Sequence, residues 1–146
     1  MSDVYALAMA KPASGARQHF LEPLLGAQAD FMALYIDGVE APIVSRLEGA
    51  FTSETRRRGL LGRSSMPPGL ALVIAPCNAI HTFRMQFVID VIYTARDGRV
   101  IKVRPRLEPG RVSGALGAFA TIELAAGALD GTDVAPGRVL QIRKRP

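Results

Sequence analysis

Hydrophobic positions in this chain fall into short runs separated by turn residues, with little of the spacing that marks an amphipathic helix. Residues 31–36 (FMALYI) form the first apolar run, and Asp37-Gly38 closes it. An extended run at residues 43–47 follows, so a β-hairpin is expected, with Pro42 at the start of its second strand or on an edge. Residues 70–74 (LALVI) have the length and residue types of a buried strand, ended by Pro76. Residues 87–94 are another, rich in β-branched side chains, and Asp97-Gly98 turns the chain into residues 99–103. That Asp-Gly pair between two β-rich runs is the strongest hairpin signal in the sequence. Pro105 and Pro109-Gly110 open a loop expected to reach about Ala118. Residues 121–124 and 139–142 supply the last strands, with a short helical turn near residues 126–129.

One helix stands out, near residues 53–61. A hydroxyl at Thr52 or Ser53 can cap its free N–H groups, and Glu54 suits the positive end of its dipole. Arg56, Arg57 and Arg58 lie toward the negative end, and Gly62 is the expected stop. Helices do not alternate with strands, which argues against a parallel βαβ layout. The expected fold is mainly β: a compact, single-domain, partly closed β-barrel or sandwich of six to eight short strands with that one helix. Residues 1–30, interrupted by Pro12 and Pro23, read as an N-terminal appendage to a single β-rich domain over residues 31–146. Pro23 suits the first turn of a short helix over residues 24–29, offering Leu24 and Leu25 to the core.

Composition changes this picture little. The chain has 146 residues, 49% hydrophobic and 21% charged, with 14 Gly and 10 Pro, which suits a turn-rich globular domain. No apolar run is long enough to span a bilayer. The single cysteine can form no internal disulfide, and the first residues lack a basic segment of the secretory type, so the expected compartment is the cytoplasm. The net charge of +5 raises the question of nucleic acid. The densest clusters, Arg56-Arg57-Arg58 and Arg143-Lys144-Arg145, carry no interleaved aromatics, and a solvated basic surface accounts for them better than a nucleic-acid partner.

The chemistry worth weighing is concentrated in residues 77–103. Alternation along a strand puts Val88, Asp90 and Ile92 on one face and Phe87, Ile89, Val91 and Tyr93 on the other. Asp90 is then an acid between apolar neighbours, and a buried carboxylate must be paired or hydrogen-bonded. Two readings stand: a site acid that orients His81, or a group that caps turn N–H groups or pairs with an arginine. His81 follows Cys77 by four residues, so a nucleophile and base with Asp90 as orienter is one arrangement, and an open metal site made of the same three is another. No oxyanion donors are identifiable and the spacing fits no strong metal signature, so a buried, inert Cys77 is the plainer reading and no cofactor is expected. Glu123, with Thr121 on its face, is a second acid in a strand, and Arg58, Arg63, Arg84 or Arg111 near it and Asp90 would make an arginine-lined cleft for an anionic ligand. His19 reads as a surface residue.

Three blocks, RRRGLLGRSSMPPGLALVI, IHTFRMQFVIDVIYTARDGRVIKV and RVSGALGAFATIELAAGALDGTDVAPGRVL, resemble in order the family called domain of unknown function number 192, over about residues 48–142. The markers are Arg58-Gly59-Leu60 with Gly62-Arg63, His81-Thr82-Phe83 with Met85 and Phe87, Ile89-Asp90, Asp97-Gly98, and Glu123-Leu124 with Ala126-Gly127. The chain departs from the family pattern at Gln86, where a basic residue is usual, and at Leu61, Val88 and Ala125. Its loop before Arg111 has Gly110 and lacks the family's frequent tryptophan. The resemblance implies a small β-rich domain and no established activity. The leading expectation is a module that binds a small molecule or protein partner in a polar cleft of the central strands, with His81, Arg84, Asp90 and Glu123 as candidate contacts. The alternatives are a hydrolase-like enzyme using His81 and Asp90, with Cys77 as nucleophile, and a purely structural or interaction domain.

Overall fold

A computed structural model describes residues 19–146. Among them the strands are β1 (Met32–Ile36), β2 (Arg46–Ala50), β3 (Leu70–Ile74), β4 (Ala79–His81), β5 (Ile89–Thr94), β6 (Val100–Leu107), β7 (Val112–Gly114), β8 (Ala120–Ala125) and β9 (Leu140–Lys144), with one helix, α1 (Ser53–Arg58). The fold is mainly β, as expected, but it is not a closed barrel. A central five-stranded sheet runs in the order β2-β3-β8-β5-β6, and two-stranded ribbons, β1-β9 and β4-β7, accompany it.

Strand alternation gives this sheet two apolar faces. Ala71, Val73, Ile92, Ile122 and Leu124 point into one core, under β1, β9 and the N-terminal turns. Leu72, Ile74, Ile89, Val91 and Tyr93 point into the other, toward α1 and the β4-β7 ribbon. The division of residues 87–94 between two faces therefore holds as read from the sequence, with the strand beginning two residues later, at Ile89.

Pairing departs from the sequence reading in two places. The expected hairpin of residues 31–36 with 43–47 is reduced to a single antiparallel bridge, Leu34 with Val44. β1 takes the C-terminal β9 as its partner, and β2 runs parallel to β3 with α1 in the crossover. Pro42, lacking an N–H, cannot extend a ladder beyond that bridge. The second departure is β6, which continues through Pro105 to Leu107 instead of ending at a loop. β6 is the outermost strand of its sheet, where the missing proline donor leaves no ladder bond unmade. The Asp97-Gly98 hairpin joins β5 and β6 as expected, with the Asp97 carboxylate accepting from the Arg99 N–H at 3.0 Å.

The helix forms where its cap predicts. The Thr52 hydroxyl accepts from the Thr55 N–H, and the Thr55 hydroxyl accepts from the Thr52 N–H, both at 3.0 Å. It stops at Arg58, before the expected Gly62, because Gly59 already turns to positive φ. The predicted helix over residues 24–29 is two short 3₁₀ turns, Glu22–Leu25 and Ala29–Phe31, with Leu21 and Leu24 buried in the first core. The rest of the expected appendage, residues 1–18, lies outside the described residues.

Candidate ligand-binding cleft

Between α1, the end of β3 and β4 lies a cleft of about 640 Å³, on the α1 side of the central sheet. Leu60, Leu61, Ile74, Ile80 and Met85 give it apolar walls, and Arg56, Cys77, His81 and Glu123 also line it.

Glu123 belongs to the floor. On β8 it lies in register between Leu72 of β3 and Val91 of β5, so its side chain leaves the middle of the sheet among apolar neighbours. It is 4% exposed, and its buried Oε2 accepts no hydrogen bond. Burial pushes the carboxyl up to about 7, against a smaller downward pull from Arg63. Arg63 is itself engaged, with its guanidinium 2.7 Å from Glu48 Oε2.

Arg56 comes from the last turn of the helix. One guanidinium nitrogen donates to the Pro76 carbonyl at 3.1 Å and ties α1 to the end of β3, while Nε is buried without a partner. Arg57 donates to the Ser53 carbonyl at 3.2 Å, and Arg58 pairs with Glu54 at 2.9 Å on the exposed surface. Neither Arg56 nor Arg57 has an acidic partner among the described residues.

Cys77 feels both the Glu123 carboxyl and the Arg56 guanidinium. Its thiol donates to the Ala79 carbonyl at 3.3 Å, and its own carbonyl accepts from the Thr121 hydroxyl at 3.1 Å. Burial pushes the thiol up, outweighing the Thr121 and Ala79 hydrogen bonds that lower it. A protonated thiol is a weak nucleophile. His81 is exposed at the end of β4, stacked on Phe83 with ring centroids 5.2 Å apart.

Asp90 is elsewhere. It is fully buried on the other face of the sheet, where Oδ1 accepts from the Arg106 N–H at 3.0 Å and Oδ2 accepts from the Gly127 and Leu129 N–H groups, each at 3.1 Å. Those donors sit at a bulge in β6, where Arg106 has φ 48, and in the turn after β8, where Gly127 has φ 88. The carboxylate thus satisfies three N–H groups that the irregular backbone leaves without ladder partners. The structure does not bring Asp90 to His81, and the sheet separates it from Cys77, so the triad and the three-ligand arrangement are not formed. Among the described residues no group of three or more His, Cys, Asp or Glu side chains is placed to hold a metal ion. Arg84 is exposed, with φ 65, and does not line the cleft.

Of the residues singled out in the sequence, Cys77, His81 and Glu123 therefore share one cleft, while Arg84 and Asp90 lie outside it. Arg56 was visible only as part of a basic run. Nothing local distinguishes it from Arg57 and Arg58, because its role depends on reaching the carbonyl of a residue twenty positions away.

A two-faced central sheet with an apolar-walled polar cleft on one side defines a small mainly β domain of a recognisable class. The chain belongs to the domain of unknown function number 192 family, described as "Uncharacterized ACR", whose model matches residues 36–142 and so includes every residue of the cleft. Two crystal structures share its fold. One is a protein of unknown function from Novosphingobium aromaticivorans, 21% identical, with a TM-score of 0.66 over 75% of this chain and 83% of that one. The other, from Sinorhizobium meliloti and described as a "putative transcription regulator", is 19% identical, with a TM-score of 0.65 over 75% of this chain and 90% of that one. No protein of curated function matches the chain. Among the described residues no helix is long and apolar enough to cross a membrane.

Proposed function

We propose that the domain is a small-molecule binding module and that the cleft beside α1 is its site. The observation that carries this reading is Glu123, a carboxyl 4% exposed on the floor of the cleft, whose buried Oε2 has no hydrogen-bond partner. A buried polar atom left unpaired costs on the order of 1–3 kcal/mol, and more when charged. A ligand that donates a hydrogen bond to it recovers that loss. His81 contributes at the outer edge and Arg56 along the helix wall. Arg84 and Asp90 drop out as direct contacts, the latter serving the fold.

The test is a small-molecule screen by thermal stability, with the wild type and Glu123→Gln compared in parallel. A ligand specific to the native state raises its stability by about 2.7 kcal/mol at a hundredfold excess over Kd. Compounds that stabilise the wild type but not the variant support the reading. A broad screen without such compounds overturns it.

A further inference from the structure

Of the four large apolar side chains exposed among the described residues, three are carried by the β4–β7 ribbon and its flanking loops: Phe83, Val112 and Leu116. Val112 lies opposite His81 in register, and the His81 ring stacks on Phe83 with centroids 5.2 Å apart. Thr82 fastens the turn that carries Phe83 to the start of β7. Its N–H donates to the Arg111 carbonyl at 2.8 Å, and its hydroxyl accepts from the Arg111 N–H at 2.9 Å. Leu116 follows just after β7 and is 99% exposed, so it stands clear of its own protein. None of the three lines the cleft beside α1.

Cations border the same ribbon. Lys102 of β6 donates to the Gly114 carbonyl at 2.8 Å, which holds the edge of the central sheet against β7. Lys102 is paired with Tyr93, and Arg104 with Val91, so both cations lie on the ribbon side of the sheet. Arg84 is exposed in the Phe83 turn, which the Met85 N–H closes on the Thr82 carbonyl at 3.2 Å. Among the described residues none of these three cations has an acidic partner, while the exposed Arg111 reaches Glu108 at 3.4 Å.

From this arrangement we infer that the ribbon face docks on an anionic lipid bilayer, with Leu116, Phe83 and Val112 entering the interfacial layer and Lys102, Arg104 and Arg84 meeting the headgroups. The inference goes beyond the binding-module reading and does not depend on what the cleft takes. Apolar side chains ringed by unpaired cations complement a surface whose charge lies above hydrocarbon, and each cation near such a surface adds to the attraction. A rigid protein partner would need a pocket enclosing Leu116 from every side, whereas lipid closes around a protruding side chain without one. A second copy of this chain fits poorly. A two-fold contact sets a patch against itself, so the cations would meet cations.

Flotation of the full chain with vesicles of phosphatidylglycerol and phosphatidylcholine, compared with phosphatidylcholine alone, tests the inference. Binding to the anionic vesicles is expected to be at least about tenfold tighter and to weaken as salt is raised. Leu116→Ser removes an apolar side chain that touches nothing essential to the fold, and is expected to weaken binding about tenfold with an unchanged thermal melt. Arg84→Gln combined with Arg104→Gln, confirmed folded by circular dichroism, should weaken it by about fivefold per charge removed. Arg46→Gln combined with Lys144→Gln, on β2 and β9 away from the ribbon, should leave it within about twofold of wild type. Absence of flotation with anionic vesicles overturns the inference. So does binding indifferent to Leu116→Ser, or equal losses in the two double variants, since either would mean adhesion through general positive charge. A dimer in vesicle-free solution that Leu116→Ser abolishes would assign the face to a second copy, and tighter binding of a polyglutamate peptide than of vesicles would assign it to an acidic protein. Either result overturns the lipid assignment.

Discussion

Asp90 and Glu123 sit on paired strands one position out of register, Asp90 opposite Leu124 and Glu123 opposite Val91, and so face opposite sides of one sheet. That single step divides their roles. Asp90 meets three backbone N–H groups within 3.1 Å, and Glu123 meets none. One acid ties irregular backbone to the sheet, and the other keeps a buried oxygen without a hydrogen-bond partner.

Replacing Asp90 by Asn keeps the shape but turns one acceptor toward a donor, so at least one of the three N–H groups loses its partner in the dry interior. Asp90→Asn is expected to lose about 3 kcal/mol of stability. Urea unfolding checks this, and a loss below about 1 kcal/mol would remove Asp90 from the role given to it here.

Glu123 has the opposite signature. Its folded-state value, about 7, lies above the ordinary 4.5, so between these pH values the folded chain holds a proton that the unfolded chain has released. Stability from this group is fully present below 4.5, is lost as pH rises toward 7, and stays lost above it, a difference of about 3 kcal/mol. Glu123→Gln cannot titrate, so its stability relative to wild type should rise across that window. Equal differences at pH 5 and pH 8 would contradict the assignment.

Gly98 and Gly110 both have positive φ, 90 and 79, but different surroundings. A Cβ at Gly98 would strike the Leu140 carbonyl oxygen and approach the Phe20 ring at 3.1 Å, while one at Gly110 meets nothing within 4 Å. Gly110→Ala should therefore cost about 1 kcal/mol, the strain of the left-handed backbone alone. Gly98→Ala should cost about 3 kcal/mol or more and loosen β9, whose Leu140 N–H donates to the Gly98 carbonyl at 2.9 Å. Thermal melts of the two variants decide it; equal losses would mean that contact with β9 contributes nothing.

The Cys77 thiol, held up by burial, should alkylate slowly. With iodoacetamide at mildly alkaline pH, the native chain is expected to react at least about tenfold more slowly than the denatured chain, since only the thiolate attacks. A native rate faster than the denatured one would reopen nucleophilic chemistry at this residue.

How much of this was legible beforehand depends on how local the signal is. Thr52 and Ser53 together announced the helix because a cap acts within three residues, and the structure assigns the cap to Thr52. Asp97-Gly98 announced the β5–β6 hairpin because a tight turn is set by its own backbone. The two faces of residues 87–94 followed from alternation alone. The family, too, was legible, since its markers are short blocks kept in order.

Tertiary structure decided the rest. Which strand pairs with which depends on ladders between distant segments, so β1 could take β9 and β2 could lie parallel to β3 although the nearest runs suggested a simple hairpin. Asp90 was marked as an acid that must be satisfied, but its donors come from a bulge and a turn sixteen and more residues on. Glu123 looked like the same kind of residue and was left unpaired on the other face. Sequence fixes where a charge is buried through strand periodicity, which is local; whether that charge finds a partner depends on which backbone the fold brings against it.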